Sequence, residues 1–393
     1  MSNNNDFQFS ASTCGFKRTK KPDLAVVYSS IPCTYAGVFT KNQVRAACVD
    51  ENKALLKQKK QIKAIVVNSG NANACTGKEG VRAVKKTQAI AAGLLNIKSN
   101  EVLVASTGII GVLLDVDKIR LGLEDAIPKL STSDKSLRDS AKAILTTDRY
   151  EKIVIKKHKS FKLVGFTKGA GMIHPDMATM LCFFFTNLAM PQKLLQAALK
   201  EAVDDTFNVI SVDGDMSTND MVILLSNNNS DKQIQTIQDP LYIEFQKTLH
   251  EACNQLAKEI VIDGEGANTL INIKIIGAKN NKDAREIARS ISTSTLFKCA
   301  VFGSDPNWGR AVARVGATSV KINQDKLDVF FNNVKVLKNG NPISFDKQKL
   351  YKQIKKSKEV NVRVDLKLGK AFASAAGCDL SLDYVKFNSG YFT

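Results

Sequence analysis

Residues 168–188 read KGAGMIHPDMATMLCFFFTNL and join a glycine-rich loop directly to an apolar segment. Met180–Leu188 is apolar at odd and even positions alike, which is typical of a strand buried on both faces inside a layered core. Gly169 and Gly171 allow backbone conformations that other residues avoid, so the loop before the strand is predicted to bend sharply. The stretch therefore predicts a layered core whose central strand starts near Thr179.

Thr179 stands where this loop enters the buried strand. A threonine hydroxyl is a weak nucleophile until a neighbouring base takes its proton. Cleavage of the Ala178–Thr179 bond would place a free α-amine beside that hydroxyl, and such an amine has a reference pKa of roughly 7.7–8.0. One cut would thus create both nucleophile and base. The pattern alone favours Thr179 as an ordinary β-branched strand residue over a nucleophile, and both alternatives stay open.

Outward from this segment, short strands alternate with amphipathic helices, which predicts the α/β class. Runs rich in β-branched residues predict strands at Ala64–Asn68, Val102–Ala105, Lys152–Lys156, Met221–Ser226, Leu270–Ile276 and Val360–Leu366. Apolar residues three and four positions apart predict helices at Glu79–Leu95, Gln192–Asp204, Pro240–Glu259 and Lys282–Ser290.

The 393 residues, 44% of them hydrophobic, are enough for one large core or two lobes. No run approaches the roughly 18 apolar residues that a membrane helix needs, so no membrane association is predicted. The N-terminal sequence MSNNNDFQFS lacks the basic and apolar regions of a secretory signal. We therefore expect a cytoplasmic protein.

The formal net charge of +18 raises the possibility of a nucleic-acid partner. However, the lysines are scattered among apolar residues without interleaved aromatic residues, so no nucleic-acid binding is predicted. The eight cysteines contain no CxxC pair, which argues against a zinc site. Asp213, Asp215 and Asp220 lack the spacing of a calcium-binding EF-hand loop. We interpret them as a structural acidic turn, and no metal is predicted.

Nine segments of the chain, in order, resemble the ornithine acetyltransferase family, whose members are bifunctional glutamate N-acetyltransferases and amino-acid acetyltransferases. The segments are AGVFTKN (36–42), NSGNANACTG (68–77), STGIIG (106–111), TTD (146–148), KGAGMIHPDMATML (168–181), VDGDMSTND (212–220), DGEGA (263–267), GSDPNWGR (303–310) and NSGYFT (388–393). Each is weak alone, but their shared order along nearly the whole chain is specific.

The resemblance implies a two-lobed layered α/β architecture built around an N-terminal-nucleophile-type, self-processing threonine. It implies cleavage between Ala178 and Thr179, giving an α chain of residues 1–178 and a β chain of residues 179–393. The two chains should stay together, because the strand that starts at the cut belongs to a shared core. Self-association into an α2β2 heterotetramer is also expected.

The resemblance further implies transfer of an acetyl group from N-acetylornithine to glutamate through an acetyl-Thr179 intermediate. No metal or organic cofactor is expected, and acetyl-CoA is a further candidate substrate. Thr107 and Gly108 match the family's oxyanion hole. The family's substrate contacts match Thr146, Lys168, Thr179, Glu265, Asn388 and Thr393. Lys168 suits an α-carboxylate and Glu265 suits the side-chain ammonium of ornithine. Thr147 is an alternative to its neighbour Thr146.

Two departures from the family pattern lie near these residues. Residues 149–152 read RYEK, where a smaller residue and a proline are expected, and Asn268 and Thr269 follow DGEGA, where Thr-Lys is usual. Two rival functions also stay open. One is a self-processing amidase or aminopeptidase in which water takes the acyl group; the other is a basic binding protein with a degenerate site.

Overall fold

The computed structural model describes residues 6–174 and 180–390. Its strands are β1 (Gln8–Ser12), β2 (Leu24–Phe39), β3 (Ile62–Asn71), β4 (Val102–Ile109), β5 (Lys152–Lys157), β6 (Lys162–Lys168), β7 (Leu181–Thr186), β8 (Ile210–Ser211), β9 (Met221–Ser226), β10 (Leu270–Ala278), β11 (Asp328–Phe331), β12 (Val334–Lys338), β13 (Asn341–Pro342), β14 (Glu359–Asp365) and β15 (Ala371–Cys378).

The helices are α1 (Ala47–Lys57), α2 (Gly77–Leu95), α3 (Val116–Ala126), α4 (Asp134–Ala143), α5 (Gln192–Asp204), α6 (Pro240–Ile262), α7 (Asn281–Ser292), α8 (Thr295–Phe302), α9 (Trp308–Gly316), α10 (Lys347–Lys356) and α11 (Leu382–Gly390). Among the described residues, no helix is long and apolar enough to cross a membrane.

One continuous strand, β2, connects two halves of an eight-stranded sheet of order β4-β3-β2-β9-β7-β6-β5, with β1 also paired to β2. The first part of β2 pairs with β3, and Thr34–Phe39 pairs with β9. The two halves share one apolar core, to which β3 and β4 contribute from one side and β6, β7 and β9 from the other. Helices α2 and α3 cover the outer face of one half, and α5 and α6 cover that of the other. The result is four layers: helices, sheet, sheet and helices.

Strand β7 lies between β6 and β9 in this arrangement, and all six of its residues are buried. Leu181, Phe183 and Phe185 face the core between the two half-sheets. Cys182 and Phe184 face the helices α5 and α6. The predicted strand that is buried on both faces is therefore confirmed, and so is the layered α/β class.

The other lobe is a seven-stranded sheet of order β13-β12-β11-β14-β10-β15-β8. Valines, isoleucines and phenylalanines on one face of this sheet pack against α7, α8 and α9. Strand β15 runs back toward the first lobe, and its last residues join the core beneath α6. This places the start of α11, which follows β15, beside the end of α6.

The predicted division at residues 178 and 179 does not coincide with a division of the sheet. Strand β6 precedes it and pairs with β7, which follows it. Strand β2 also precedes it and pairs with β9. Two chains cut at this position would therefore share the central sheet.

Candidate active site

The predicted oxyanion-hole residues lie where the parallel strands β3 and β4 end side by side. The register places Gly70 opposite Gly108, directly after Thr107. Gly108 has a φ of 132°, and a Cβ there would overlap the backbone of Gly70. Only glycine fits this position. Gly108 is exposed, while Thr107 is buried next to it.

Asn219 holds this end of β4 in place. Its side-chain amide donates to the carbonyl oxygens of Ser106 at 2.7 Å and Ala72 at 2.6 Å. Asn219 belongs to the VDGDMSTND segment, in which only the acidic residues attracted attention from the sequence. The amide could not be assigned there, because its partners lie more than a hundred residues away along the chain.

Lys168 ends strand β6 and reaches the same place. Its Nζ donates to Thr107 Oγ1 at 3.1 Å, and the side chain is only 2% exposed. Burial lowers the pKa of this amine, and the charges of Asp148 and Asp220 oppose that effect. The structure thus joins two predicted roles, since the lysine expected to bind a carboxylate also contacts the oxyanion-hole hydroxyl.

The glycine loop after Lys168 passes over Glu265, which follows α6. The Glu265 N–H donates to the carbonyl of Ala170 at 2.9 Å, and a Cβ on Gly171 would overlap the Glu265 carboxylate. The Asn388 side-chain amide donates to Glu265 Oε2 at 3.0 Å. Two predicted substrate residues, one on α11 and one after α6, therefore lie together beside the loop.

The acidic segment between β8 and β9 binds this loop through hydrogen bonds to the loop backbone. Asp213 accepts backbone N–H groups from Met172 at 2.6 Å, Ile173 at 2.9 Å and Asp215 at 3.1 Å. Burial raises the pKa of Asp213 to about 6, although these three hydrogen bonds lower it. Within the described residues, no group of three His, Cys, Asp or Glu side chains is placed to hold a metal ion.

Asp220 directly precedes β9 and was interpreted from the sequence only as part of a structural acidic turn. Its Oδ1 accepts the N–H of Met180 at 3.0 Å, which is the amide joined to the carbonyl of residue 179. Its Oδ2 is buried without a hydrogen-bond partner among the described residues. Burial raises the pKa of Asp220 well above its usual range, and the hydrogen bond from Met180 opposes that effect.

A buried ion network lies behind Lys168. Lys152 Nζ donates to Asp148 at 2.8 Å and to Asp263 at 2.6 Å, and all three side chains are 0% exposed. Arg149, one of the departures from the family pattern, donates from Nε to Asp263 at 2.7 Å. Sequence reasoning missed this network, although it flagged the RYEK segment that supplies two of its members.

The remaining predicted residues are placed only in part. Thr146 donates its backbone N–H to Asp148 at 3.1 Å, and both Thr146 and its neighbour Thr147 are half-buried. The preference for Thr146 as the substrate contact stays a prediction. Three other predicted residues, Ala178, Thr179 and Thr393, lie outside the described residues.

The variant Gly108→Ala tests the geometry of the predicted oxyanion hole. The added methyl group would overlap the Gly70 backbone and occupy a φ that alanine rarely adopts. We expect a loss of acyl-transfer activity of about a hundredfold or more, because one displaced oxyanion donor costs roughly 3–4 kcal/mol. Gly93→Ala, an open position on α2, is the matched control and should retain activity. An active Gly108→Ala enzyme would contradict this placement of the oxyanion hole.

The chain is similar in sequence to known proteins along nearly its whole length. The model of the ArgJ family matches residues 8–393. The chain is 44% identical over 391 residues to the arginine biosynthesis bifunctional protein ArgJ of Caldanaerobacter subterraneus subsp. tengcongensis, covering 96% of this chain and 95% of the relative. It is 41% identical over 373 residues to the glutamate N-acetyltransferase of Methanopyrus kandleri, with coverages of 94% and 95%.

A crystal structure of the arginine biosynthesis bifunctional protein ArgJ from Bacillus halodurans matches with a TM-score of 0.51 and 37% identity. The match covers 52% of this chain and 96% of the solved chain. Together with the end-to-end match of the family model, these similarities establish that the chain belongs to the ArgJ family.

Proposed function

We infer that this protein is a glutamate N-acetyltransferase of arginine biosynthesis that moves the acetyl group of N-acetylornithine to glutamate. The observation that carries this inference is the contact between the Lys168 ammonium and the Thr107 hydroxyl, directly beside Gly108. This contact places a cation that can bind an amino-acid carboxylate beside a hydroxyl that can donate a hydrogen bond to an acyl oxyanion. The names of the relatives support the same activity.

The reaction starts with self-processing between Ala178 and Thr179. The new α-amine of Thr179 takes the proton of its own hydroxyl, which attacks the acetyl carbonyl of N-acetylornithine. Thr107 and Gly108 stabilise the oxyanion of the tetrahedral intermediate. Ornithine leaves with the proton, and the amine of glutamate then attacks the acetyl-Thr179 ester. N-acetylglutamate is released and the threonine hydroxyl is restored.

Division of the chain has independent support. The solved Bacillus halodurans chain is matched over 96% of its length yet covers only 52% of this protein, as expected of one half of a divided relative. Because β7 lies between β6 and β9, the α chain of 1–178 and the β chain of 179–393 remain associated after the cut.

Substrate binding is divided between the two ends of the site. Lys168 pairs with the α-carboxylate of the substrate. Glu265 binds the side-chain ammonium of ornithine, and the Asn388 amide orients the Glu265 carboxylate. Thr146 and Thr393 complete the substrate contacts. The enzyme uses no metal or organic cofactor. Acetyl-CoA is a second acetyl donor, a proposal supported by the word bifunctional in the names of several relatives.

The assembly is a cytoplasmic α2β2 heterotetramer. Helix α11 supports self-association, because Leu382 and Val385 are 67% and 59% exposed on it. These two side chains lie one helical turn apart and offer apolar surface that association would remove from water.

Product analysis tests the activity against its rivals. Purified enzyme with N-acetylornithine should give N-acetylglutamate and ornithine when glutamate is present, and little acetate in its absence. Acetate formation that is independent of glutamate would instead indicate the amidase function. An inert, uncut chain that binds DNA or RNA in a salt-sensitive manner would overturn the proposal and favour the binding protein.

A further inference from the structure

Three buried ions form a row behind the proposed oxyanion hole. Asp263, at the end of α6, contacts Lys152 on β5, and Lys152 contacts Asp148 in the turn before β5. All three side chains are 0% exposed, so the row has no direct contact with water. It connects the DGEGA segment to the TTD segment through Lys152, which is 111 residues from Asp263 along the chain.

Stability alone does not account for this row. Removing several ions from water costs several kcal/mol each, and apolar side chains of similar volume often serve as well or better. A buried ionic group can instead fix one geometry or one charge at a particular place. The end of the row that faces the proposed active site should therefore show which geometry or charge the row fixes.

That end is Asp148, and both of its oxygens are used. Oδ1 accepts the backbone N–H of Gly169 at 2.6 Å in addition to the Lys152 amine. Oδ2 accepts the N–H of Thr146 at 3.1 Å. Asp148 thus ties the residue that follows Lys168 to the turn that carries the predicted substrate threonine.

Asp148 also provides the ionised carboxylate that faces the buried Lys168 ammonium. The charged groups around Lys168 are Asp148, Asp220, Glu265, Lys152 and Lys17. The pKa of Asp148 is lowered by Lys152 and Lys168 despite its burial, so Asp148 is charged. Burial raises the pKa of Asp220 well above its usual range, so of these two carboxylates Asp148 holds its charge more firmly. Glu265 is half-buried and bound by the Asn388 amide.

We propose that Asp148, held by Lys152 and Asp263, is a positioning residue that keeps the Lys168 ammonium charged and directed at Thr107 Oγ1. The proposal rests on the proposed function, because it assigns Asp148 a part in binding the substrate carboxylate and ordering the oxyanion hole. Asp148 itself touches no substrate; it acts through Lys168 and the Gly169 backbone.

Asp148→Asn removes the charge while its amide oxygen still accepts from Gly169 and Lys152. Burial already lowers the Lys168 pKa, and Asp148 raises it, so loss of this charge lowers it further. Binding of a carboxylate needs protonated Lys168 and is lost as pH rises through its pKa. The alkaline limb of the kcat/KM profile should therefore move to lower pH, by about one unit or more. Above that limb, KM for N-acetylornithine should rise more than kcat falls.

Lys152→Met should move the same limb the opposite way. The positive charge of Lys152 lowers the Lys168 pKa, so its removal raises that pKa and extends activity to higher pH.

Asp328→Asn is the matched control, because Asp328 is a buried carboxylate on β11 that accepts from Lys335 at 3.1 Å, Lys367 at 2.8 Å and the N–H of Asn339 at 2.8 Å. It should lower Tm without moving the pH profile.

Activities are normalised to the cleaved fraction measured by intact mass. The Lys168 pKa is also measured without turnover, from the pH titration of ¹³C-labelled lysine Cε signals, with the Lys168 signal identified by its loss in Lys168→Met. Opposite shifts in Asp148→Asn and Lys152→Met support the proposal, and the titration does so even if the transferase assay fails. A Lys168 titration that is the same in Asp148→Asn as in wild type, with stability lost as in Asp328→Asn, overturns it.

Discussion

Thr179→Ala is expected to leave the protein as a single uncut chain of 393 residues without measurable acetyl transfer. The variant lacks the hydroxyl that would attack the preceding peptide bond, so the α-amine that acts as base never forms. Loss of a nucleophile together with its base typically costs about four orders of magnitude or more in kcat. Gel electrophoresis and intact-mass spectrometry measure the cut, and the glutamate-dependent assay measures transfer.

Two further variants serve as controls for Thr179→Ala. Thr179→Ser keeps the hydroxyl and should be cut, with reduced activity. Thr186→Ala removes a buried threonine from the C-terminal end of β7, where its hydroxyl accepts the local N–H of Leu188. It should be cut and active with some loss of stability. A Thr179→Ala protein that is still divided after residue 178 would place the processing nucleophile elsewhere.

Lys168→Met should give the second large effect, a fall in kcat/KM of about a thousandfold. Methionine preserves the length of the side chain but removes the hydrogen bond to Thr107 Oγ1 and the charge that binds the substrate carboxylate. An oxyanion donor that is no longer fixed costs roughly 3–4 kcal/mol, and a lost charge-assisted hydrogen bond adds to that loss. Steady-state kinetics with both substrates measure the change.

Lys298→Met is a matched control for the burial of a lysine. Lys298 is 3% exposed, and its Nζ donates to the carbonyl of Val212 at 2.6 Å. Its replacement should lower Tm but change kcat/KM by no more than a few fold. If Lys168→Met retained activity within tenfold of wild type while remaining folded, Lys168 would have neither of the two roles.

The sequence predicted the central strand because burial on both faces leaves an uninterrupted apolar run, as in Met180–Leu188. It also predicted the bounds of β9 and α5, which are strongly patterned. Strand β2 was missed. The segment between its two paired portions contains Ser29, Ser30 and Pro32, which interrupt the pattern where the strand passes from β3 to β9.

Part of the site was also predictable. Motifs in the expected order identified Thr107, Gly108, Lys168, Glu265 and Asn388, and the structure brings the first three together and the last two together. The contact between Lys168 and Thr107 could not be foreseen, because local patterns carry no information on distances between segments.

The supporting residues depend on the same missing information. Asp148, Lys152 and Asp263 are ordinary charged residues until the fold buries them and places them within hydrogen-bonding distance. Arg149 was noticed only as a departure from the family pattern. Its partner Asp263, 114 residues away, explains why a long basic side chain fits at this position.

The central claim is that Thr179 carries the acetyl group, and intact-mass spectrometry of a single turnover tests it most directly. Purified enzyme is mixed with N-acetylornithine without glutamate, and the reaction is quenched in acid. The account predicts two chains, 1–178 and 179–393, with the mass of one acetyl group gained only at the first residue of the second chain. Glutamate should remove this acetyl group as N-acetylglutamate. An enzyme that transfers acetyl groups as one undivided chain, or with the acetyl group on another residue, would contradict the account.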